Sequence, residues 1–349
     1  MLMAILIIVG LSLLVLIHEA GHFIAARQAG IKIEEFGFGF PPRIKGWQRG
    51  ETLYSLNWLP FGGFVRINGE KQPDILSYGD TASIVTRPID STRAFYGKSF
   101  RQRFVVIAAG ISINFLAGWF LFSLVFMFGA REAVVAVDVL PSTPAATIGL
   151  ERGDEFVGFT DDNQFIQFTH AHRGELIPLV VRRGGQDMEL KVQLRSEEDQ
   201  PPLGAAISKI GFARLPIFAS IWKGLTTSVD TVAQIFKAFG GLILDLFTSA
   251  SIPENIVGPI GIFGIAGDIG RLGFVYILQL IGMISLNLAA LNAIPFPALD
   301  GGRILFMIIE KVKGAPLNPK REMWANITSF GFLILLMLAI TGRDIVRLF

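Results

Sequence analysis

The chain has 349 residues, of which 51% are hydrophobic and only 17% charged, and its net charge is +2. That much apolar material excludes an ordinary soluble protein and needs a lipid-facing home, while so balanced a charge, with no basic cluster interleaved with aromatics, excludes nucleic acid as a partner. The absence of cysteine removes disulfides and thiolate ligands together, so any metal must be held by His, Asp or Glu.

Met1 to Ile17 is the first of four uncharged runs near or above the roughly 17 to 25 residues that cross a bilayer. The others are Phe104 to Ala130, Leu272 to Leu299 and Ala325 to Gly342. No Lys or Arg precedes the first run and no small-residue cleavage site follows it, so it is expected to be retained rather than removed as a signal peptide. The polar blocks between the runs differ in charge. Lys plus Arg against Asp plus Glu is 12 to 7 over residues 26 to 103, 12 to 17 over 131 to 271, and 5 to 3 over 297 to 325. By the positive-inside tendency the first and third blocks are cytoplasmic and the middle one is outside.

At the inner end of the first run stands His18-Glu19-Ala20-Gly21-His22. On a helix this H-E-x-x-H spacing puts two imidazoles on one face, where both can bind one zinc ion, with the intervening Glu19 beside the attacking water as general base. Three ionisable residues there are costly in lipid unless they face a metal, a partner or a water-filled cavity. Residues 31 to 70 then alternate aromatics and Gly with polar residues, as in Phe36, Phe38 and Phe40, and read as short strands and hairpins. Residues 71 to 103 form an irregular connection ending in the basic cluster Lys98, Arg101 and Arg103, and the second span carries Asn114.

Residues 131 to about 210 read as a small β module, with strand-like runs at Val134 to Val139, Ile177 to Arg182 and Met188 to Leu194, closed by a linker from Ser196 to Gly204. Phe218, Ile221, Trp222, Leu225, Val229, Val232, Phe236 and Phe239 recur at intervals of three and four, which predicts a long amphipathic helix lying on the membrane or against the other spans. Residues 252 to 270 are rich in Gly and Pro and too broken to span. The chain thus divides into an N-terminal membrane region (1 to 130), the β module (131 to 210), the amphipathic and Gly/Pro segment (211 to 271) and a C-terminal membrane region (272 to 349).

Catalytic zinc usually takes three protein ligands. His170 and His172 belong to the outer module and read as surface residues. Asp300, in Asn292-Ala293-Ile294-Pro295-Phe296-Pro297-Ala298-Leu299-Asp300-Gly301-Gly302-Arg303, ends the third run. Spans one and three run in the same direction, so Asp300 arrives at the level of His22. Read alone, a Pro-broken helix end followed by Asp-Gly-Gly is an ordinary turn; read with H-E-x-x-H, it supplies the third ligand.

Together these two elements resemble the site-2 protease family of intramembrane metalloproteases, bacterial members of which pair H-E-x-x-H with N-x-x-P-x-P-x-L-D-G. The resemblance extends to Phe36-Gly37-Phe38-Gly39-Phe40-Pro41, to Leu59-Pro60-Phe61-Gly62-Gly63-Phe64-Val65 ending at Gly69-Glu70, to Gly110-Ile111-Ser112-Ile113-Asn114, and to Gly258-Pro259-Ile260-Gly261. Departures are Ala109-Gly110-Ile111, where many relatives have Gly-Pro after the Ala, and Phe64, where Tyr is common. Pro144-Ala145-Ala146 and Gly149-Leu150-Glu151-Arg152-Gly153-Asp154 look like a PDZ domain, in one copy where some relatives carry two.

The resemblance implies a polytopic α-helical membrane protein with four transmembrane helices, a membrane-associated β-hairpin region and an inserted extracytoplasmic PDZ-like domain. It implies Zn2+ as cofactor, Glu19 as catalytic base, and His18, His22 and Asp300 as ligands. Gly62, Gly63, Phe64 and Val65, with Asn292, would hold an unwound substrate strand, and Asn114 would either join them or serve the packing of one helix on another. The implied partners are the lipid bilayer, a single-pass membrane substrate such as an anti-sigma factor or a signal-peptide remnant, and an upstream site-1-type protease. The implied location is a bacterial inner membrane, with the active site near the cytoplasmic side. Two rival functions remain: a catalytically silent membrane adaptor would need no intact His-Glu-His-Asp set, and a zinc transporter would have no use for Glu19, a substrate hairpin or a PDZ-like module.

Overall fold

The computed structural model describes residues 2–70, 91–197, 200–248 and 273–348. The chain divides into two compact units, one made of Met1–Phe122, Gly224–Gly267 and Leu278–Phe349, the other of Ser123–Lys223 and Asp268–Ile277. Among the described residues, four helices are long and apolar enough to cross a membrane, over Ile8–Gln28, Phe100–Phe128, Phe274–Ala293 and Pro319–Gly342. This is a multi-pass membrane protein.

Helix α1 (Leu2–Gln28) runs without a break from the apolar N-terminal stretch through His18 and His22. Helix α2 (Phe100–Phe128) ends before Gly129, whose φ of 69° is a left-handed backbone that favours glycine and closes a helix. Ala130, expected in the span, therefore opens a strand instead. A buried cluster that includes Ala26, Ile31, Ile33, Ile67, Val106 and Met307 joins the end of α1 to a two-stranded sheet and to α2. The helices approach closely where side chains are missing: a Cβ on Gly21 would lie 2.6 Å from the carbonyl oxygen of Ala109.

The sheet consists of β1 (Ile33–Arg49) and β2 (Thr52–Ile67), paired antiparallel around the Gly50 turn. Its register breaks repeatedly, so that Phe36 partners both Val65 and Tyr54, and Gly37 both Phe64 and Ser55. Residues 35–38 thus lie between two stretches of β2. Ser12 of α1 donates to the carbonyl of Pro60, and buried Glu35 accepts from Arg43 at 2.8 Å and lies 3.5 Å from Arg66. The sheet is held against α1 at one end and neutralises its own buried carboxylate.

In the second unit, β3 (Ala130–Val139), β4 (Glu155–Phe156), β5 (Leu176–Arg183), β6 (Gln186–Gln193) and β7 (Ala205–Phe212) form one sheet in the order β6-β5-β4-β3-β7. Helices α3 (Pro144–Thr147) and α4 (Asp162–Ala171) accompany it. Its core is built on Val134, Phe156, Phe165, Val181 and Val192, all nearly inaccessible. Strand β7, the edge partner of β3, was not among the expected strands and follows the linker that the sequence places at the end of the module.

Helix α5 (Ile217–Thr248) is the expected amphipathic helix. Phe218 is 87% and Trp222 67% exposed while Ser220 and Ser228 are buried, so the apolar stripe is turned away from the described protein. A stripe left uncovered in this way suits a lipid surface. The Gly/Pro segment 252–270, with Gly258-Pro259-Ile260-Gly261, lies outside the described residues, as does most of the connection from 71 to 103.

Helix α6 (Phe274–Ala293) stops before the two prolines, and residues 294–299 form a turn. Asp300 is consequently not the end of a span but the first residue of a separate helix, α7 (Asp300–Lys313). That helix carries an acid in its first turn, Lys311 and Lys313 in its last, and Gly314 at φ 71° after it, all matched to the helix dipole and its termination. Helix α8 (Pro319–Leu348) begins on a proline, a favoured first residue. Asn326 of α8 accepts from the Ala298 amide in the turn.

Candidate active site

Four residues apart on α1, His18 and His22 face the same way and are buried, their rings edge to face at 4.8 Å. Asp300 is brought to them by the turn and by the two glycines after it. A Cβ on Gly301 would run into the carbonyl oxygen of Ile294, and one on Gly302 into that of Phe296, so only glycine lets the first turn of α7 settle on the 294–297 backbone.

Asp300 Oδ2 lies 3.1 Å from His18 Nε2 and 3.1 Å from His22 Nε2, and the two nitrogens are 3.2 Å apart. The oxygen is buried and accepts no well-formed hydrogen bond despite these neighbours. The three atoms therefore point at a common centre rather than at one another. A tetrahedral zinc with bonds of about 2.0–2.2 Å sets its ligands about 3.3 Å apart, close to the spacing observed. Among the described residues, His18, His22 and Asp300 are the trio able to hold a metal ion.

The remaining imidazole nitrogens face α2. His22 Nδ1 lies 2.8 Å from the carbonyl oxygen of Val106, a pure acceptor, so Nδ1 carries the proton and Nε2 keeps its lone pair for a metal. His18 Nδ1 faces the amide of Asn114 at 3.3 Å. Asn114 is fully buried and its Oδ1 has no partner. Turning the amide by 180°, which exchanges two nearly indistinguishable ends, lets Oδ1 accept from a His18 Nδ1–H and satisfies both groups. The backbone of Asn114 is anchored in turn, its carbonyl accepting from Ser285 of α6 at 2.7 Å. Gly110, one turn earlier on α2, has no room for a side chain: a Cβ would meet His22 Nε2 and lie 2.9 Å from His18 Cε1.

Glu19 projects beside the trio, and its Oε2 accepts from the amide of Val65 at 3.0 Å. Val65 pairs with Phe36 on one side, so this amide points off the outer edge of the sheet towards the base. Gly62, with φ 83°, and Gly63 let the chain pass close to Val15 and Leu16 of α1, and the Phe64 ring lies over Gly37. Asn292, near the end of α6, is half-buried and makes no side-chain hydrogen bond among the described residues. His170 and His172 are occupied within α4, by Arg173 and by the Phe168 carbonyl. Sequence reasoning missed the ion pair of Arg303 with Glu70, which links α7 to the chain just beyond β2. The two residues close the two motifs quoted above, but nothing in their spacing announces the pairing.

The family model described as Peptidase family M50 matches residues 6–337. A protein of Clostridium perfringens named a zinc metalloprotease is 31% identical over 344 residues, covering 96% of each chain. The protease eep of Enterococcus faecalis is 28% identical over 425 residues, covering 98% of each. The regulator of sigma-W protease RasP of Bacillus subtilis is 26% identical over 415 residues, covering 96% of each. The last two alignments are longer than the present chain, so those relatives contain residues that it lacks.

Proposed function

Since the chain belongs to peptidase family M50 and is a zinc metalloprotease, we propose that it hydrolyses peptide bonds within the transmembrane segment of a membrane protein already trimmed on its outer side. The observation that carries this reading is the convergence of His18 Nε2, His22 Nε2 and Asp300 Oδ2 within 3.1 to 3.2 Å, with both imidazoles on an apolar helix of membrane-spanning length and Glu19 alongside.

In this reading His18, His22 and Asp300 hold the zinc. Once bound, the metal supplies a Lewis acid for the scissile carbonyl and makes water a better nucleophile at neutral pH. Glu19 takes the proton from the attacking water and delivers it to the departing amine nitrogen. Val106 and Asn114 keep both imidazoles in the required tautomer, which makes Asn114 a positioning residue rather than a substrate contact. Asn292, with an uncommitted amide, remains a donor or acceptor for substrate backbone.

An intact helix hides its carbonyls in its own hydrogen bonds, so a substrate helix must unwind to be cut. The edge formed by Gly62, Gly63, Phe64 and Val65 offers it a strand to pair with. A substrate carbonyl that takes the Val65 amide displaces Glu19 from that donor and frees the base beside the bond to be broken.

The second unit, on this reading, is a PDZ-like domain outside the cytoplasm, supported by the excess of acidic residues over 131–271. It admits substrates that lack a bulky outer domain. Deleting residues 132 to 208 should then increase cleavage of an untrimmed substrate; no increase in a stably expressed deletion counts against filtering. The name of the Bacillus relative, regulator of sigma-W protease, supports an anti-sigma factor as the substrate class, with a signal-peptide remnant the other candidate. A site-1-type protease would make the first cut, and a bacterial cell membrane is the setting.

The deciding experiment compares wild type with Glu19→Gln for bound zinc and for cleavage of a model transmembrane substrate. Zinc retained with cleavage abolished is expected. Full cleavage by the variant would sink the mechanism.

A further inference from the structure

At the end of α1 away from the N-terminus, a cavity of about 380 Å³ opens between the helix end, the β1–β2 turn and the short helical turn Ser91–Arg93. The size is that of a small-ligand site. Three arginines line it, each from a different element: Arg27 from α1, Arg49 from β1 and Arg93 from the helical turn. Arg93 binds Glu51 through both guanidinium nitrogens, at 2.8 and 2.5 Å. That bond holds the Glu51 carboxyl below the usual carboxylate range, so it stays ionised and neutralises one of the three charges. The side chains of Arg27 and Arg49 make no hydrogen bond or ion pair among the described residues, and Thr52 and Tyr54 complete the polar wall.

The cavity is fixed in place by hydrogen bonds to main-chain carbonyls. The amide of Lys32 donates to the Arg93 carbonyl at 3.0 Å, and Thr52 Oγ1 donates to the Ile33 carbonyl at 3.0 Å. Its depth follows from α1. The apolar span ends at Gln28, and Arg27 lies five residues beyond His22, about 7 Å further along the axis, where hydrocarbon gives way to headgroups. Trp47, two residues before Arg49 and so on the same strand face, is 50% exposed, as tryptophans of an interfacial belt are. Two uncommitted guanidinium forks at headgroup depth match an oxyanion presented by lipid rather than one arriving from bulk water.

We propose that this cavity binds the phosphate of an anionic phospholipid, with Arg27 and Arg49 as its recognition groups. A lipid held there would fix the end of the helix that carries His18 and His22 at a set height in the bilayer. Such a site requires only that α1 crosses the membrane, whichever side its end faces, and is independent of what the enzyme cleaves.

The test is native mass spectrometry of the full chain in detergent, titrated separately with phosphatidylglycerol, phosphatidylcholine of the same acyl chains, inorganic phosphate and an acidic peptide. Phosphatidylglycerol should bind in preference to phosphatidylcholine. Its affinity should fall about fivefold for each of Arg27→Ala and Arg49→Ala, and Lys45→Ala, on the same hairpin but outside the cavity, should leave it unchanged. Arg27→Gln and Arg49→Gln, which keep length and hydrogen bonding without charge, give the same reading where an alanine variant folds poorly. An equal loss in Lys45→Ala would mean diffuse attraction and overturn the site. Equal binding of the two lipids overturns it as well. Occupancy by inorganic phosphate or by the acidic peptide, with no preference among lipids, would replace the lipid by a soluble anion or a protein partner.

Discussion

Asn114→Leu separates a role on the metal from a role on substrate. Leucine matches asparagine in bulk, so the fully buried site between α1 and α2 stays filled while the acceptor for His18 is lost. An imidazole N–H left buried without a partner costs about 1–3 kcal/mol. Loss of the outer partner of a coordinating histidine typically weakens metal binding by about 10- to 100-fold, and the two figures agree at about 1.4 kcal/mol per decade. Zinc affinity, measured by competition against a fluorescent chelator, should therefore fall by one to two decades. Asn114→Asp keeps an acceptor facing His18 and should stay close to the parent. If the leucine variant held zinc as tightly as wild type and showed only a raised KM, Asn114 would be a substrate contact and the assigned amide orientation would be wrong.

Two further outcomes follow from the ion pairs. Arg303→Met removes the link between α7 and Glu70, loosening the helix that begins with Asp300; cleavage should drop about tenfold, and the exchange Glu70→Arg with Arg303→Glu should recover part of it in the same assay. In the second unit, Asp154 is 1% exposed and is bonded by Arg183 at 2.6 and 2.7 Å. Arg183→Leu strands a buried charge and should cost about 3 kcal/mol, read as faster proteolysis of residues 131–212 in the intact protein, whereas unchanged digestion would show that water reaches Asp154.

Periodicity carried the sequence reading furthest where one element decides the outcome. His18 and His22 face one way because a helix repeats every 3.6 residues, and the apolar runs located the four helices of membrane-spanning length and hydropathy among the described residues. The reading failed where the outcome depends on distant chain segments. Helix α7 was absorbed into a polar block, although Asp300, Lys311, Lys313 and Gly314 are legible end signals, because it is too short to span a membrane and follows a Pro-broken turn. Strand β7 escaped because Ala205-Ala206-Ile207-Ser208-Lys209 is strand only by virtue of pairing with β3. The double partners of residues 35–38 depend on register breaks that alternation of side chains does not encode. The spacing of Asn114 from Gly110 says nothing about which helix packs against it, so its place beside His18 is not legible in the sequence.

The division of labour among the helices explains why the site has so few polar residues. Helix α1 contributes two imidazoles and the carboxylate of Glu19, and α7 contributes one carboxylate, but neither element fixes the orientation of the rings. Both fixing contacts come from α2, through the Val106 carbonyl and the Asn114 side chain, and both require α2 to lie hard against α1. Gly21 and Gly110 make that approach possible from opposite sides of the same contact. A side chain at either position would push the helices apart, lengthen both imidazole hydrogen bonds and shift the ligand nitrogens together. On the proposed ligand set, zinc affinity is therefore set by the packing distance of two apolar helices as much as by His18, His22 and Asp300 themselves, and substitutions in α2 that touch neither metal nor substrate should act on it.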